Sequence, residues 1–333
     1  MSLSDTQSVS TETDISLGPP ISSTWPETLV HRVEQMIDSR STFIALKDGY
    51  GKTLTYAEMG NRIQTITASL LAIGQLEDSP RIGVFQQPSV DWICSMLAIL
   101  RVGAVCLPLE SRNGLPRLAT IVKISGPIAV LVDSTTIEDA KKLGLEKTTV
   151  INVSQLNVPS TTQIPITAKP ENPALILFTS GTTGVPKGIV LKHSGTVNVI
   201  ESLVQRYELD QEVVIQHTAF SFDMSIDEIF IGLGSGGSLY IVDTARRGDS
   251  RALMEIIANE GITYTRTTPS GYLSWIRHGA DLVAGNTSWK HAFAGGDKMS
   301  DSLRQAFRSL GLPNLKLYQV RLLSPSLLTH LTS

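Results

Sequence analysis

Cysteine is nearly absent from this chain: its 333 residues hold two, Cys94 and Cys106, each in an apolar run with no CxxC spacing and no nearby histidine. That excludes a disulfide-stapled scaffold and a thiolate metal site, and it predicts two reduced core residues in a cytoplasmic protein. Long apolar runs are missing as well. The longest, such as WICSMLAIL from Trp92 to Leu100, break far short of the ~18 residues of a membrane span, so no membrane partner is expected. No basic block stands out: 28 Lys and Arg face 31 Asp and Glu, a net charge of −3. Without a phosphate-neutralising face, nucleic acid is a poor partner and a small molecule a better one. The six histidines show no metal-ligand spacing, and His193 and His217 read as structural or solvent-facing. Nothing repeats at a fixed period. The Ser/Thr-rich opening over 1–24 lacks a basic-then-apolar leader and reads as a disordered lead-in.

What is present is alternation. Leu29, Val30, Val33, Met36 and Ile37 recur at helical spacing between Glu27 and Asp38. A second helix follows, with Thr55 and Glu58 at capping-box spacing, a buried stripe of Tyr56, Met59, Ile63, Ile66 and Leu70, and Gly74 as its stop. Strands RIGVFQ, VCLPL, IAVLVD, TTVINVS and ALILFTS then interleave with helices over Ser89–Val102 and Leu115–Ser125. This order predicts an α/β fold with parallel sheet. The Pro- and Thr-rich stretch from Asn157 to Asn172 is the most loop-like interior segment, a possible division between subdomains.

The most informative segment runs from Leu177 to Gly195, LFTSGTTGVPKGIVLKHSG. An apolar strand ends at Phe178, and Thr179, Ser180, Gly181, Thr182, Thr183 and Gly184 follow, with Lys187 between Pro186 and Gly188. Glycines admit backbone N–H groups close to an anion, hydroxyls add donors, and one lysine adds mobile positive charge; together they suit a polyphosphate. It is not a Walker loop, because that pattern needs Gly-Lys-Ser/Thr. By contrast GLGSGG, Gly232 to Gly237, imitates a dinucleotide fingerprint but follows a segment carrying Asp227 and Glu228, and so reads as a Gly-rich turn between a helix and the strand SLYIVD.

TSGTTGVPKG resembles the phosphate-loop signature of the adenylate-forming superfamily. LTYAEM, ILRVGAVCLPLE, FSFDMSIDEIF and AGGDKMS resemble further motifs in the same order, FSFDMSIDEIF that of its amino-acid-activating members, so that the likeness covers Trp25 to about Tyr318. The texture is most similar to adenylation domains of fungal hybrid polyketide/peptide synthetases. The fold this implies is the large N-terminal core of an adenylate-forming enzyme, with mostly parallel sheets flanked by helices, over 25–318. The activity it implies is ATP-dependent activation of an amino acid as its adenylate, with Mg2+, and transfer to the thiol of a phosphopantetheinyl carrier protein among neighbouring synthetase modules.

In that resemblance Thr179 to Gly184 and Lys187 hold the departing phosphates, with Lys187 and Thr183 as the catalytic pair, and Asp223 pairs with the substrate ammonium. Met224, Asp227, Arg266, Ala292 and Ala294 fall at its specificity positions. Asp227 lies one helical turn after Asp223, and Ala292 and Ala294 alternate on one strand face. An Asp and an Arg in one pocket either pair with each other or meet a polar substrate side chain. From about Gln319 the sequence reads QVRLLSPSLLTHLTS, an atypical tail over 319–333, where the family has a Tyr-Gly-Pro-Thr-Glu motif with an adenine-stacking tyrosine and a magnesium-binding glutamate. The ribose-binding aspartate, the hinge and the small C-terminal lid also lack counterparts, which predicts weak activity. The competing expectations are an acyl- or aryl-CoA ligase, which needs no amine, and a non-catalytic fragment of a synthetase.

Overall fold

Short polar residues start most of the helices, as their hydroxyl and carboxylate groups satisfy the free N–H groups of a first turn. Helix α1 (Leu29–Ser39) begins after Thr28, whose hydroxyl accepts the His31 N–H at 3.3 Å. Helix α2 (Tyr56–Leu71) carries both halves of the expected capping box: Thr55 Oγ1 accepts the Glu58 N–H at 3.2 Å, and Glu58 Oε2 accepts the Thr55 N–H at 2.8 Å. Ser89 caps α3 (Val90–Arg101), and Gly126, in the left-handed conformation, ends α4 (Leu115–Ser125). A short α5 (Ile137–Ala140), then α6 (His193–Arg206), α7 (Asp223–Gly234), α8 (Ser250–Asn259), α9 (Pro269–Gly279) and α10 (Asp301–Ser309) complete the series.

The computed structural model describes residues 23–74, 76, 79–156, 163–179 and 186–320, and the backbone of Thr329–His330. The chain opens one sheet with β1 (Ile44–Asp48) and β2 (Thr53–Thr55). It builds a second from β3 (Arg81–Phe85), β4 (Val105–Pro108), β5 (Ala129–Val132), β6 (Thr149–Asn152), β7 (Pro173–Thr179) and β8 (Lys187–Lys192). It then returns to the first with β9 (Val213–Gln216), β10 (Ser238–Ile241), β11 (Tyr264–Thr267), β12 (His291–Gly295) and β13 (Lys316–Val320), while β14 (Thr329–His330) pairs with β8. The strand orders are β13-β12-β11-β9-β10-β1-β2 and β14-β8-β7-β4-β3-β5-β6. Pairing is parallel except for β1 with β2, β7 with β8 and β8 with β14.

Alternate residues along each strand face different layers, as a two-residue period requires. Val214, Leu239, Ile241 and Phe293 join one large core with Ile82, Val84, Cys106 and Leu131 of the other sheet and the apolar faces of α1, α2, α3 and α7. Their neighbours Ile215, Tyr240, Val242, Ala292 and Ala294 pack with α8, α9 and α10. Phe85, Val105, Leu107, Val130 and Val132 pack with α4. Helices are thus sandwiched between two sheets and also cover their outer faces, which is why so many strands are apolar on both sides.

The loop-like segment 157–172 joins β6 to β7 within one sheet, and the chain passes between sheets after β2, after β8 and again between β13 and β14; residues 157–162 lie outside the described residues. Of the expected lead-in, Ser23 and Thr24 are described and hydrogen-bond the buried Glu201 at 2.8 and 2.5 Å. Of the expected tail, Gln319 and Val320 continue β13 beside Ala294 and Gly295. Of GLGSGG, Gly232–Gly234 form the last residues of α7 and Ser235–Gly237 the turn to β10. There a Cβ on Gly237 would lie 2.0 Å from the Glu212 carbonyl oxygen, so no larger residue fits.

Two outcomes follow from this packing. Gly237→Ala must push two backbone segments apart and should cost about 2–3 kcal/mol, readable as a lowered urea midpoint. His193, the first residue of α6, is fully buried with both ring nitrogens unpartnered, and burial, aided by the nearby His31, lowers its pKa from 6.5 to about 4. A depressed histidine supports the fold fully above pH 6.5, and that support is lost as pH falls toward 4. Between pH 7.5 and pH 5 this one ring should remove about 2 kcal/mol of stability, and His193→Phe should flatten the unfolding profile over that range.

Candidate nucleotide and amine site

Strand β7 runs Pro-Ala-Leu-Ile-Leu-Phe-Thr, buried from Ala174 to Leu177, and turns back antiparallel into β8 with Thr179 opposite Lys187. Both Thr179 and Lys187 are exposed, and the Thr179 hydroxyl reaches the Lys187 carbonyl at 3.5 Å, so the two ends of the Gly/Thr-rich loop are held together. Ser180, Gly181, Thr182, Thr183 and Gly184 lie outside the described residues.

The loops at the carboxyl ends of the two sheets meet, the place where open α/β sheets take ligands. Asp48 at the end of β1 accepts the Val90 N–H at 3.2 Å, and Glu110, just beyond β4, accepts the Phe220 N–H at 3.1 Å. Thr244, after β10, donates its hydroxyl to Gln87, after β3, at 2.5 Å.

Helix α7 starts at this junction. Asp223 is its first residue, exposed, with Oδ1 accepting the Met224 N–H at 2.8 Å. A carboxylate there sits in the favourable field of the helix N-terminus. Met224 beside it is half-buried. One turn on, Asp227 Oδ2 meets Arg266 Nη1 of β11 in an ion pair whose side chains are 9% and 1% exposed. Burial lifts the Asp227 carboxyl above its ordinary range against the pull of Arg266. For Arg266 the order reverses: burial opposes its charge, but Asp227, Tyr264 and Asp223 outweigh burial and raise its pKa. In the structure the Asp and the Arg pair with each other.

Ala292 and Ala294 do share one face of β12, but not the face of that pair. In register they stand beside Thr265 and Thr267, and they pack into the outer core with Tyr272, Trp275 and Trp289. Phe293 is the residue beside Arg266. The face turned toward α7 is thus Phe293 and Gly295, one position along from the two alanines. A Cβ on Gly295 would stand 3.7 Å from Met224 Sδ and 3.9 Å from Arg266 Nη2, which marks it as a neighbour of the pair. Tyr264, two residues before Arg266, stacks on Phe293 with centroids 4.9 Å apart.

Behind α7 lies a polar network that the sequence reading did not identify. Glu228 is fully buried and accepts from the Thr218 N–H at 3.2 Å, the Thr218 hydroxyl at 2.6 Å and Gln216 Nε2 at 3.1 Å. Gln216 Oε1 accepts from Arg247 Nη2 at 2.5 Å. Arg247 lies 4.6 Å over the Phe220 ring, and Phe220 stacks on Trp92 at 3.5 Å. His217 Nε2 contacts the Arg266 carbonyl at 2.9 Å. Burial pushes Glu228 up to about 8 and His217 down to about 4. This network fixes the β9–α7 turn that presents Asp223. The one trace of it in the sequence is Glu228 inside FSFDMSIDEIF.

Among the described residues, no three His, Cys, Asp or Glu side chains gather to hold a metal ion, and no helix is long and apolar enough to cross a membrane. Two solved structures share the fold. A nonribosomal peptide synthetase, FmoA3 in its AMPPNP-bound form, superposes with a TM-score of 0.79 at 22% identity, covering 88% of this chain and 31% of that one. The N-terminal subdomain of Klebsiella oxytoca NpsA gives 0.77 at 18% identity, covering 91% and 77%. Among curated proteins, the hybrid PKS-NRPS synthetase traA of Penicillium crustosum is 42% identical over 302 residues, and prlS of a fungal strain is 43% identical over 307. Each match takes in 90% of this chain, which spans only 8% of either relative's length. The model of the family described as AMP-binding enzyme matches residues 33–320, and the chain belongs to that family.

Proposed function

We propose that this chain activates an amino acid with ATP, as the adenylating part of a synthetase that passes the acyl group to a carrier-protein thiol in the cytoplasm. The observation that carries the reading is Asp223, an exposed carboxylate at the carboxyl end of the first sheet, one turn before a buried ion pair that already satisfies Asp227. Asp223 is left to meet a cation, and an α-ammonium group is one.

In the first step a carboxylate oxygen of the amino acid attacks the α-phosphorus of ATP, and the bond to the bridging oxygen breaks, releasing pyrophosphate. Thr179 to Gly184 and Lys187 hold the β and γ phosphates. Lys187 and the Thr183 hydroxyl stabilise the charge that grows on the leaving group, a purely electrostatic role. Mg2+ on the triphosphate, where bound, supplies further charge neutralisation. In the second step a carrier thiol takes the acyl carbon and AMP leaves. Asp223 selects against acids that lack an amine, since a carboxylate covered by such a substrate loses water without gaining a partner. After Tyr318 the sequence carries Gln319 and Val320 where the family has its Tyr-Gly-Pro-Thr-Glu segment.

Amino-acid-dependent ATP–pyrophosphate exchange, on the chain alone and joined to the lid domain of a homologous synthetase, tests this. At least one amino acid should drive exchange in the joined form. Asp223→Ala should lower kcat/KM for it by about 100-fold or more. Lys187→Ala should lower kcat by about 100- to 1,000-fold with a smaller change in KM. Exchange driven by an aliphatic or aryl acid and by no amino acid would instead make the protein an acyl- or aryl-CoA ligase.

A further inference from the structure

On the amine-recognition reading above, we infer that the stacked side chains of Arg247, Phe220 and Trp92 form a strut that sets the distance between the amine end and the phosphate end of the ligand site. Arg247 and Phe220 are then positioning residues: they touch no substrate and act through the turn that presents Asp223.

The two ends of the site belong to different sheets. Lys187 opens β8 of the second sheet, whereas Asp223 opens α7, which packs on β9 and β10 of the first. Two substrates react only when both are held in line, and a misplacement of about 1 Å can cost about 100-fold in rate. Residues 217–222, between β9 and α7, form neither helix nor strand, so their shape must be fixed by groups outside them.

Arg247 supplies much of that restraint. It lies beyond β10, is 4% exposed, and serves three acceptors on three segments. Its Nε donates to the Val242 carbonyl at 3.0 Å, Nη1 to the Thr218 carbonyl at 3.3 Å and Nη2 to Gln216 Oε1 at 2.5 Å. None of these acceptors is a carboxylate. Burying a guanidinium is costly, and one bonded in this way holds the end of β9, the turn after it and the end of β10 in one arrangement.

Phe220 carries the restraint across to the second sheet. Its ring lies 4.6 Å from the Arg247 guanidinium and stacks on Trp92 of α3, with centroids 3.5 Å and planes 6° apart. Its N–H is accepted by Glu110, just beyond β4, at 3.1 Å. Helix α3 in turn packs on β3 and β4. Guanidinium, phenyl and indole are three flat, rigid groups in one pile, and a close-packed pile holds a separation that flexible aliphatic side chains would let vary.

Calorimetry on the 333-residue chain with three probes tests the strut. The probes are AMPPNP, glycyl sulfamoyl-adenosine, which presents an amine and no side chain, and its des-amino counterpart acetyl sulfamoyl-adenosine. The wild type should prefer the glycyl compound about 100-fold. Trp92→Leu removes the flat partner of Phe220 and should shrink that preference to about 10-fold or less, while AMPPNP binds within about twofold of wild type. Trp92→Phe keeps a flat ring and should restore most of the preference. Arg247→Met strands three acceptors and should also lower Tm; Arg247→Lys keeps the charge without the flat fork, should stay folded, and should show the same selective loss.

An unchanged glycyl preference in both Trp92→Leu and Arg247→Lys overturns the inference. So does an equal loss of affinity for all three probes, or an equal loss in Trp92→Leu and Trp92→Phe, since either marks a role in stability alone. A wild type that binds the glycyl and acetyl compounds equally overturns the amine reading itself, and the strut with it.

Discussion

Helix α7 runs between two sheets and is buried from Ser225 to Gly234, yet its first two turns carry three carboxylates. A carboxylate in a buried layer must be answered, since an uncompensated buried charge costs more than the net stability of most domains allows. Asp223 stays at the exposed helix start, Asp227 takes Arg266 from β11, and Glu228 takes three donors from the end of β9 and the turn after it. Much of the site's geometry follows from these answers. To reach Asp227, Arg266 must point inward. Once it does, Phe293 and Gly295 on β12 share its face, and Ala292 and Ala294 are left to the outer core.

The same requirement joins the two sheets. The loops after β3 and β4 meet those after β9 and β10 through Gln87 with Thr244 and Glu110 with Phe220, and the stack of Arg247, Phe220 and Trp92 continues the contact into α3. A ligand held at the carboxyl ends of the strands therefore touches groups whose positions are set by both sheets. The hairpin that carries Lys187 belongs to one sheet and the helix that carries Asp223 to the other.

Much of this was legible in the residues. The capping box at Thr55 and Glu58, the apolar stripe of α2, the apolar run of β7 and the Gly-rich turn before β10 are local patterns, and local patterns survive folding when tertiary contacts agree with them. What could not be read was which of two strand faces looks inward. A period of two fixes that Ala292 and Ala294 point the same way, but one residue of register decides whether that way is the pocket or the outer core. Register depends on the pairing of β11 with β12 and on the bulk of Trp289, Tyr272 and Trp275, none of which the motif contains. The pairing of Asp227 with Arg266, 39 positions away in the chain, was equally open: both residues were named, but spacing alone does not separate a salt bridge from two independent substrate contacts.

A buried ion pair is poor evidence of stability, because well-packed apolar residues of similar volume often serve the fold as well or better. Its presence beside Asp223 therefore asks for another reason. With Asp227 held by Arg266, Asp223 is the one carboxylate of the three that lies at the exposed start of the helix. The pair also holds a permanently charged guanidinium between α7 and β11. Apolar replacements would fill the same volume and hold α7 against β11, but they would supply neither the charge balance nor the donor.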